Sequence, residues 1–194
     1  MRRAVRRPPA AAKFPAVADE PFHHIELPYG DGHLVPPATP GARRITGQVI
    51  DGDGAPVGDA LVEVWQADPS GRYHDAADDR DLPLLEGFTG FGRVATAADG
   101  SYELWTVTPG PVPGPDGTTQ APHLLVSVFA RGLLDRLVTR MYFPEQFEAN
   151  AADPILALVV DPARRATLVA EDDGGALRFD IRLQGERETV FFAV

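Results

Sequence analysis

The sequence predicts an all-β protein: a β-sandwich of antiparallel strands with long loops, an N-terminal arm and one short helix. Glycine and proline are frequent, with 19 of each in 194 residues, and they divide the chain into short segments as in loop-rich β folds. Asp-Gly pairs separate apolar runs, which is typical of tight turns between strands. The segment LRFDIRLQG alternates apolar and polar residues, as expected of a strand with one buried face.

The chain is expected to consist of a tail and one domain. The first 13 residues carry five of the 18 basic residues and no acidic one. No apolar stretch of an export signal follows, so a disordered tail over residues 1–20, or a misread start, is favoured over targeting. Residues 21–194 form the domain, and residues 21–43 are predicted to be an arm over its surface, because Pro and Gly are too frequent there for regular structure.

The strands follow in order along the domain. A first strand ends at Ile50, a turn series follows, and a second strand spans about residues 60–67. The pair Asp99-Gly100 separates two further strands, and a buried strand is expected within residues 121–132.

One helix and a closing strand complete the prediction. The segment DPARRATLVAED, residues 161–172, is predicted to be helical, because Asp161 suits an N-cap and Pro162 suits the first helical position. In the closing strand the apolar residues are expected to face inward: Leu177, Phe179, Ile181 and Leu183.

Composition excludes several classes of function. Cysteine is absent, which excludes disulfides, thiolate metal sites and thiol catalysis. The net charge of −10 argues against nucleic acids and anionic membranes as partners and favours small molecules or proteins. No segment approaches the ~20 apolar residues that a membrane helix needs. We predict a cytoplasmic protein.

A single histidine opens the predicted strand APHLLVSVFARG. His123 and Leu125 lie two residues apart, so in a strand they share a face. A His-x-His pair would aim two imidazoles at one metal ion, but here the second position is apolar. The segment is therefore either half of a metal site or a strand with an ordinary core histidine.

The other histidines suggest no site. His23 and His24 are adjacent, so in an extended arm they face opposite ways. His74 and Asp75 lie in an acidic loop whose spacing lacks the Gly and the final Glu of a calcium loop.

Four longer segments carry a resemblance to a known family. The first is ITGQVIDGDGAPVGDALVEVWQADPSGRY, residues 45–73, and the others are GFGRVATAADGSYELWTVTPG, PHLLVSVFARGLLDRLVTRMYF and the closing LRFDIRLQGERETVFF. Together they resemble the intradiol aromatic-ring dioxygenases over nearly all of residues 21–194. The resemblance implies a β-sandwich and cleavage of a catechol by O2 between its hydroxyl-bearing carbons. The segments PHLLVSVFARG, TRMYF and GERETVFF are most similar to α-type subunits of the family.

The same resemblance implies where an iron site would lie. Enzymes of the family hold Fe(III) with two tyrosines and two histidines, and an arginine lies nearby. The first tyrosine falls on Tyr73 and the first histidine on His123, whereas the second tyrosine falls on Val112 and the second histidine on Leu125. The arginine falls on Gln120. Tyr73 and His123 are thus the expected remnant of an iron site, and we predict no metal and no catalytic residue in this chain.

A partner is implied as well. In the family, α subunits pair with an iron-bearing β subunit in higher αβ oligomers, so Fe(III) is expected in that β subunit and not in this chain. Arg131 and Pro21 are predicted at the substrate pocket or the subunit interface, with Arg131 on the strand face of His123 and Leu125. The apolar end of the chain, residues 188–194, is expected to be buried against the partner.

The sequence leaves three classes of function open. The favoured one is a non-catalytic α subunit of an intradiol dioxygenase, which lines part of a pocket shared with β. The second is a self-sufficient intradiol enzyme with a rearranged site, and the third is a β-sandwich binding module without activity.

Overall fold

The computed structural model describes residues 32–193, and most of their regular structure is β-strand. In chain order the strands are β1 (Ala42–Ile50), β2 (Leu61–Trp65), β3 (Phe91–Ala95), β4 (Ser101–Val107), β5 (Val112–Pro113), β6 (Thr119–Gln120), β7 (His123–Phe129), β8 (Leu137–Tyr142), β9 (Glu171–Asp172), β10 (Leu177–Arg178) and β11 (Ile181–Arg182). Two short α-helices, α1 (Phe147–Ala152) and α2 (Pro162–Ala166), lie between β8 and β9.

Two sheets enclose one main hydrophobic core. In the first sheet β1 pairs with β4, with β10 and with β11, and β9 pairs with β10. The second sheet has the order β3-β2-β7-β8. Apolar side chains of both sheets meet in the core, such as Ile45 and Leu104 from the first sheet and Val62, Val126 and Met141 from the second. The predicted all-β sandwich is confirmed.

Not every strand pair is antiparallel. The closing segment runs parallel to β1, with Ile45 opposite Leu177 and Val49 opposite Ile181. The chain leaves the second sheet after β8, passes through both helices and returns beside β1 in the same direction. The predicted inward residues are confirmed, because Leu177, Phe179 and Ile181 are buried and Leu183 packs against the main core.

The single predicted helix is corrected to two. Asp161 does cap α2, since its carboxylate accepts a hydrogen bond from the backbone N–H of Ala163 at 2.9 Å. However, α2 ends at Ala166, because the next residues bond to the end of β8, with the N–H of Ala170 donating to the carbonyl of Tyr142. Helix α1 was not predicted.

Both ends of the described chain lie against the domain. Leu34, in the predicted arm, is buried in the main core, and its N–H donates to the carbonyl of Trp105 at 2.8 Å. At the other end, Phe191 and Phe192 are half-buried against hydrophobic clusters of their own chain, and burial of their remaining surface against a partner stays a prediction. Within residues 32–193, no helix is long and apolar enough to cross a membrane.

Candidate functional site

The candidate site consists of the positions Tyr73, Val112, Gln120, His123 and Leu125. It lies at one end of the second sheet, on the face turned away from the main core. On β7, Leu124, Val126 and Val128 point into that core, so His123 and Leu125 point to the opposite face, as the two-residue period requires.

Strand pairing places an aromatic and a charged residue beside Leu125. Trp65 of β2 lies opposite Leu125 on one side, and Arg140 of β8 lies opposite it on the other. His123 lies opposite Tyr142, and their rings are 5.7 Å apart between centroids. Because cross-strand pairs share a face, these side chains form one layer over the end of the sheet.

A tight turn positions Tyr73 over this layer. The buried carboxylate of Asp68 accepts hydrogen bonds from the N–H groups of Ser70 and Leu85, at 2.8 and 2.9 Å. At Gly71, φ is +84°, and a Cβ there would lie 2.3 Å from the carbonyl oxygen of residue 111, so only glycine fits. Past this turn, the ring of Tyr73 stacks on Trp65 with centroids 5.9 Å apart and planes 8° from parallel.

The ribbon β5-β6 brings in the remaining two positions. Val112 pairs with Gln120 across the ribbon, and the Gln120 amide donates to the carbonyl of Pro113 at 2.8 Å. The amide oxygen of Gln120 accepts a hydrogen bond from Arg140 Nη1 at 2.7 Å. A continuous series of contacts therefore joins all five predicted positions, and Arg140 lies at its centre.

The ionisation of the two retained side chains reflects burial and this arginine. Burial raises the pKa of the Tyr73 phenol, and the positive charge of Arg140 opposes that rise. Burial, together with the charge of Arg140, lowers the pKa of His123 to about 4. Near pH 7 the imidazole is neutral, and its Nδ1 carries the proton because it lies 2.7 Å from the carbonyl oxygen of Ala121, which can only accept.

The buried carboxylate of Asp153 holds Tyr142 of this layer in place. Tyr142 donates its hydroxyl hydrogen to Asp153 at 3.1 Å, and burial raises the pKa of this phenol far above its usual value. The fully buried Asp153 also accepts backbone N–H groups from Ala121, Ile155 and Leu156, at 2.8 to 2.9 Å. Four donors thus satisfy one buried charge, as burial requires.

The side chains at the candidate site do not fit a ferric ion. Val112 and Leu125 offer no donor atom where the resemblance requires a phenolate and an imidazole. Arg140 also places a permanent positive charge among the remaining donors. Among residues 32–193, no group of three or more His, Cys, Asp or Glu side chains could hold a metal ion.

Of the two residues predicted at the pocket or interface, the structure describes only Arg131. Pro21 lies outside the described residues. Arg131 lies beyond the end of β7, at the opposite end from His123, and its guanidinium pairs with Asp59 while 89% exposed. Its predicted place on the strand face of His123 is wrong, because the strand ends at Phe129 and the chain turns at Gly132. Its role at a pocket or interface stays a prediction.

Comparison with known proteins gives the family. Residues 36–185 match the sequence profile of the dioxygenase family. The protocatechuate 3,4-dioxygenase alpha chain of Pseudomonas putida is 47% identical over 165 residues, which cover 82% of this chain and 80% of that one. The chain belongs to the intradiol dioxygenase family. Enzymes of this family use Fe(III).

Two further relatives of this intradiol dioxygenase chain bear on its subunit type and fold. The protocatechuate 3,4-dioxygenase beta chain of Burkholderia cepacia is 41% identical over 154 residues, 75% of this chain and 65% of that one. A solved structure, the dioxygenase domain of a fusion with a carbohydrate-binding protein from Streptomyces sp. SirexAA-E, superimposes with a TM-score of 0.53. It is 28% identical, over 79% of this chain and 87% of that one.

Sequence reasoning missed the residues that organise the site, namely Trp65, Arg140, Tyr142 and Asp153. One signal was available for two of them: in TRMYF, Arg140 and Tyr142 are two residues apart and share a strand face. Nothing local in the sequence shows that Arg140 meets Gln120, because 20 residues and a strand crossing separate them.

Proposed function

We propose that this chain is the α subunit of a protocatechuate 3,4-dioxygenase. The enzyme cleaves protocatechuate (3,4-dihydroxybenzoate) with O2 between the hydroxyl-bearing carbons and yields 3-carboxy-cis,cis-muconate. The observation that carries the proposal is the 47% identity to an α chain in a protein whose Val112 and Leu125 replace two iron ligands of the family pattern. A chain that keeps the fold and lacks two of four ligands suits a subunit whose partner performs the chemistry.

The iron is proposed to reside in a β subunit. Related α and β chains occur as separate proteins among the relatives, and this chain is similar to both. Fe(III) in the partner would bind the catechol through its oxygens and activate it toward O2. The proposed contribution of this chain is to support that partner and to line part of the pocket, in a higher αβ oligomer. A cytoplasmic location remains a prediction from the sequence.

Arg131 is the proposed contact with the shared pocket or the partner. Its side chain is 89% exposed in the single chain, so it is accessible to a partner surface or a substrate carboxylate. Its ion pair with Asp59 restricts the direction in which it points. Pro21, in the arm, is proposed to lie at the same boundary.

Expression of the chain alone, of a β-type partner alone and of the two together tests the proposal. We expect the chain alone to be colourless and inactive. The co-purified pair should show the visible absorption of iron-tyrosinate and consume protocatechuate and O2 in equal amounts. Ring cleavage by this chain alone, or failure of the two chains to co-purify, would overturn the proposal.

A further inference from the structure

The candidate site carries a positive charge on a different strand from the one that the family pattern predicts. The family pattern places an arginine three residues before the first histidine, and this chain has Gln120 there. The guanidinium of Arg140, on β8, donates directly to the side-chain oxygen of that same Gln120 at 2.7 Å. The site therefore retains a cation, but it comes from a neighbouring strand.

The new cation lies among the groups that would otherwise serve a metal. Arg140 is opposite Leu125, one of the two lost ligand positions, and its Nη1 is 3.4 Å from the hydroxyl of Tyr142. Its charge acts on both retained donors: burial raises the pKa of Tyr73 and Arg140 opposes that rise, while burial lowers the pKa of His123 and Arg140 adds to that fall. A metal ion coordinated by Tyr73 and His123 would lie close to this guanidinium.

Arg140 is also fixed in place. Gln120 cannot turn away freely, because its amide nitrogen is held by the carbonyl of Pro113 at 2.8 Å and its backbone pairs with Val112. The guanidinium of arginine is always charged in proteins. It therefore presents a permanent positive charge to any cation that enters.

We propose that Arg140, held by Gln120, takes the place of the metal charge and excludes metal cations from the candidate site. This inference rests on the proposed reading of Tyr73 and His123 as the remnant of an iron site. Loss of the ligands at 112 and 125 is then only part of the reason for the absence of iron, because repulsion between a trivalent ion and a neighbouring guanidinium opposes binding even with four donors in place. Arg140 is a positioning and exclusion residue and not a catalytic one.

Restoring the ligands with and without Arg140 separates the two causes. The double variant Val112→Tyr/Leu125→His supplies the donors of the family pattern and keeps Arg140. The triple variant adds Arg140→Gln, whose amide can still bond to Gln120. We expect the double variant to bind no Fe(III) and the triple variant to bind one per chain with an iron-tyrosinate band. Chelator competition should show at least a ~100-fold difference in affinity.

Two control variants in the double-variant background isolate the charge. Arg140→Lys retains the charge and should stay iron-free at pH 7, whereas Arg44→Gln removes an exposed arginine of the other sheet and should also stay iron-free. Circular dichroism and thermal unfolding verify that each protein is folded. The proposal is overturned if the double variant or the Arg140→Lys variant binds iron as well as the triple variant does. It is also overturned if the triple variant is folded and binds no iron. Iron in the unsubstituted chain would instead contradict the proposed function.

Discussion

Lowering the pH should destabilise this protein by charging His123. The imidazole is buried, and its pKa falls from 6.5 to about 4 in the folded chain. Between these values the unfolded chain binds a proton that the folded chain does not. Stability from this residue is therefore complete above pH 6.5 and is lost as the pH falls toward 4.

The size of the effect follows from the two pKa values. At about 1.4 kcal/mol for each pKa unit, the difference between 6.5 and about 4 corresponds to roughly 3 kcal/mol of unfolding free energy. Carboxylates with lowered pKa values, such as those of Asp99 and Glu103, contribute mainly below this pH window, because their ordinary pKa values already lie near 4.

Urea unfolding at a series of pH values, followed by circular dichroism, measures this dependence. The control is His123→Asn, whose amide can still donate to the carbonyl of Ala121 but does not titrate. The difference in unfolding free energy between the native and variant proteins should change by about 3 kcal/mol from pH 7 to pH 4. A difference that stays constant over this range would refute the assignment of a neutral, buried His123.

Three further substitutions test the supports of the site and its boundary. Gly71→Ala should cost about 3 kcal/mol of stability, because φ is positive there and a Cβ would lie 2.3 Å from a carbonyl oxygen. Gly132→Ala should cost about 1 kcal/mol, because φ is also positive, at +85°, but a Cβ would meet no atom within 4 Å. Asp153→Ala should cost about 3 kcal/mol in urea unfolding, because four donors lose a buried acceptor. Arg131→Ala should raise KM for protocatechuate several-fold in the co-expressed pair and change stability by less than about 0.5 kcal/mol, whereas the exposed Arg136→Ala should leave KM unchanged.

Each of these expectations can fail in a recognisable way. Equal losses for the two glycine variants would mean that contact with residue 111 is unimportant to the turn before Tyr73. A near-neutral Asp153→Ala would mean that its donors find other acceptors. Unchanged kinetics for Arg131→Ala would remove that residue from the pocket and leave its ion pair with Asp59 as its only assigned contact.

Features set by local sequence could be predicted. Alternation fixed which residues of the closing strand face the core, because the side-chain period of a strand is two wherever it pairs. The Asp99-Gly100 turn was predictable from the local preferences of its two residues. Gly100 has φ of +76°, and the Asp99 carboxylate accepts a hydrogen bond from the N–H of Ser101 at 3.0 Å. The N-cap at Asp161 depends on contacts within two residues.

Features set by contacts between distant strands could not be predicted. Alternation does not show where a strand ends, so Arg131 was placed on β7 although the strand stops at Phe129. The contact between Arg140 and Gln120 depends on the order of strands and on the β5-β6 ribbon, and no local sequence pattern predicts either of these. Tyr73 and His123 were identified by resemblance, whereas the presence of Arg140 at the same site required the structure.

Iron content per assembled pair tests the central claim most directly. The claim is that this chain keeps the family fold and holds no iron of its own, while its partner holds the metal. Metal analysis of the purified complex with a β-type chain should find one iron for each pair of chains. Two irons per pair, or one iron per chain in the isolated protein, would contradict it.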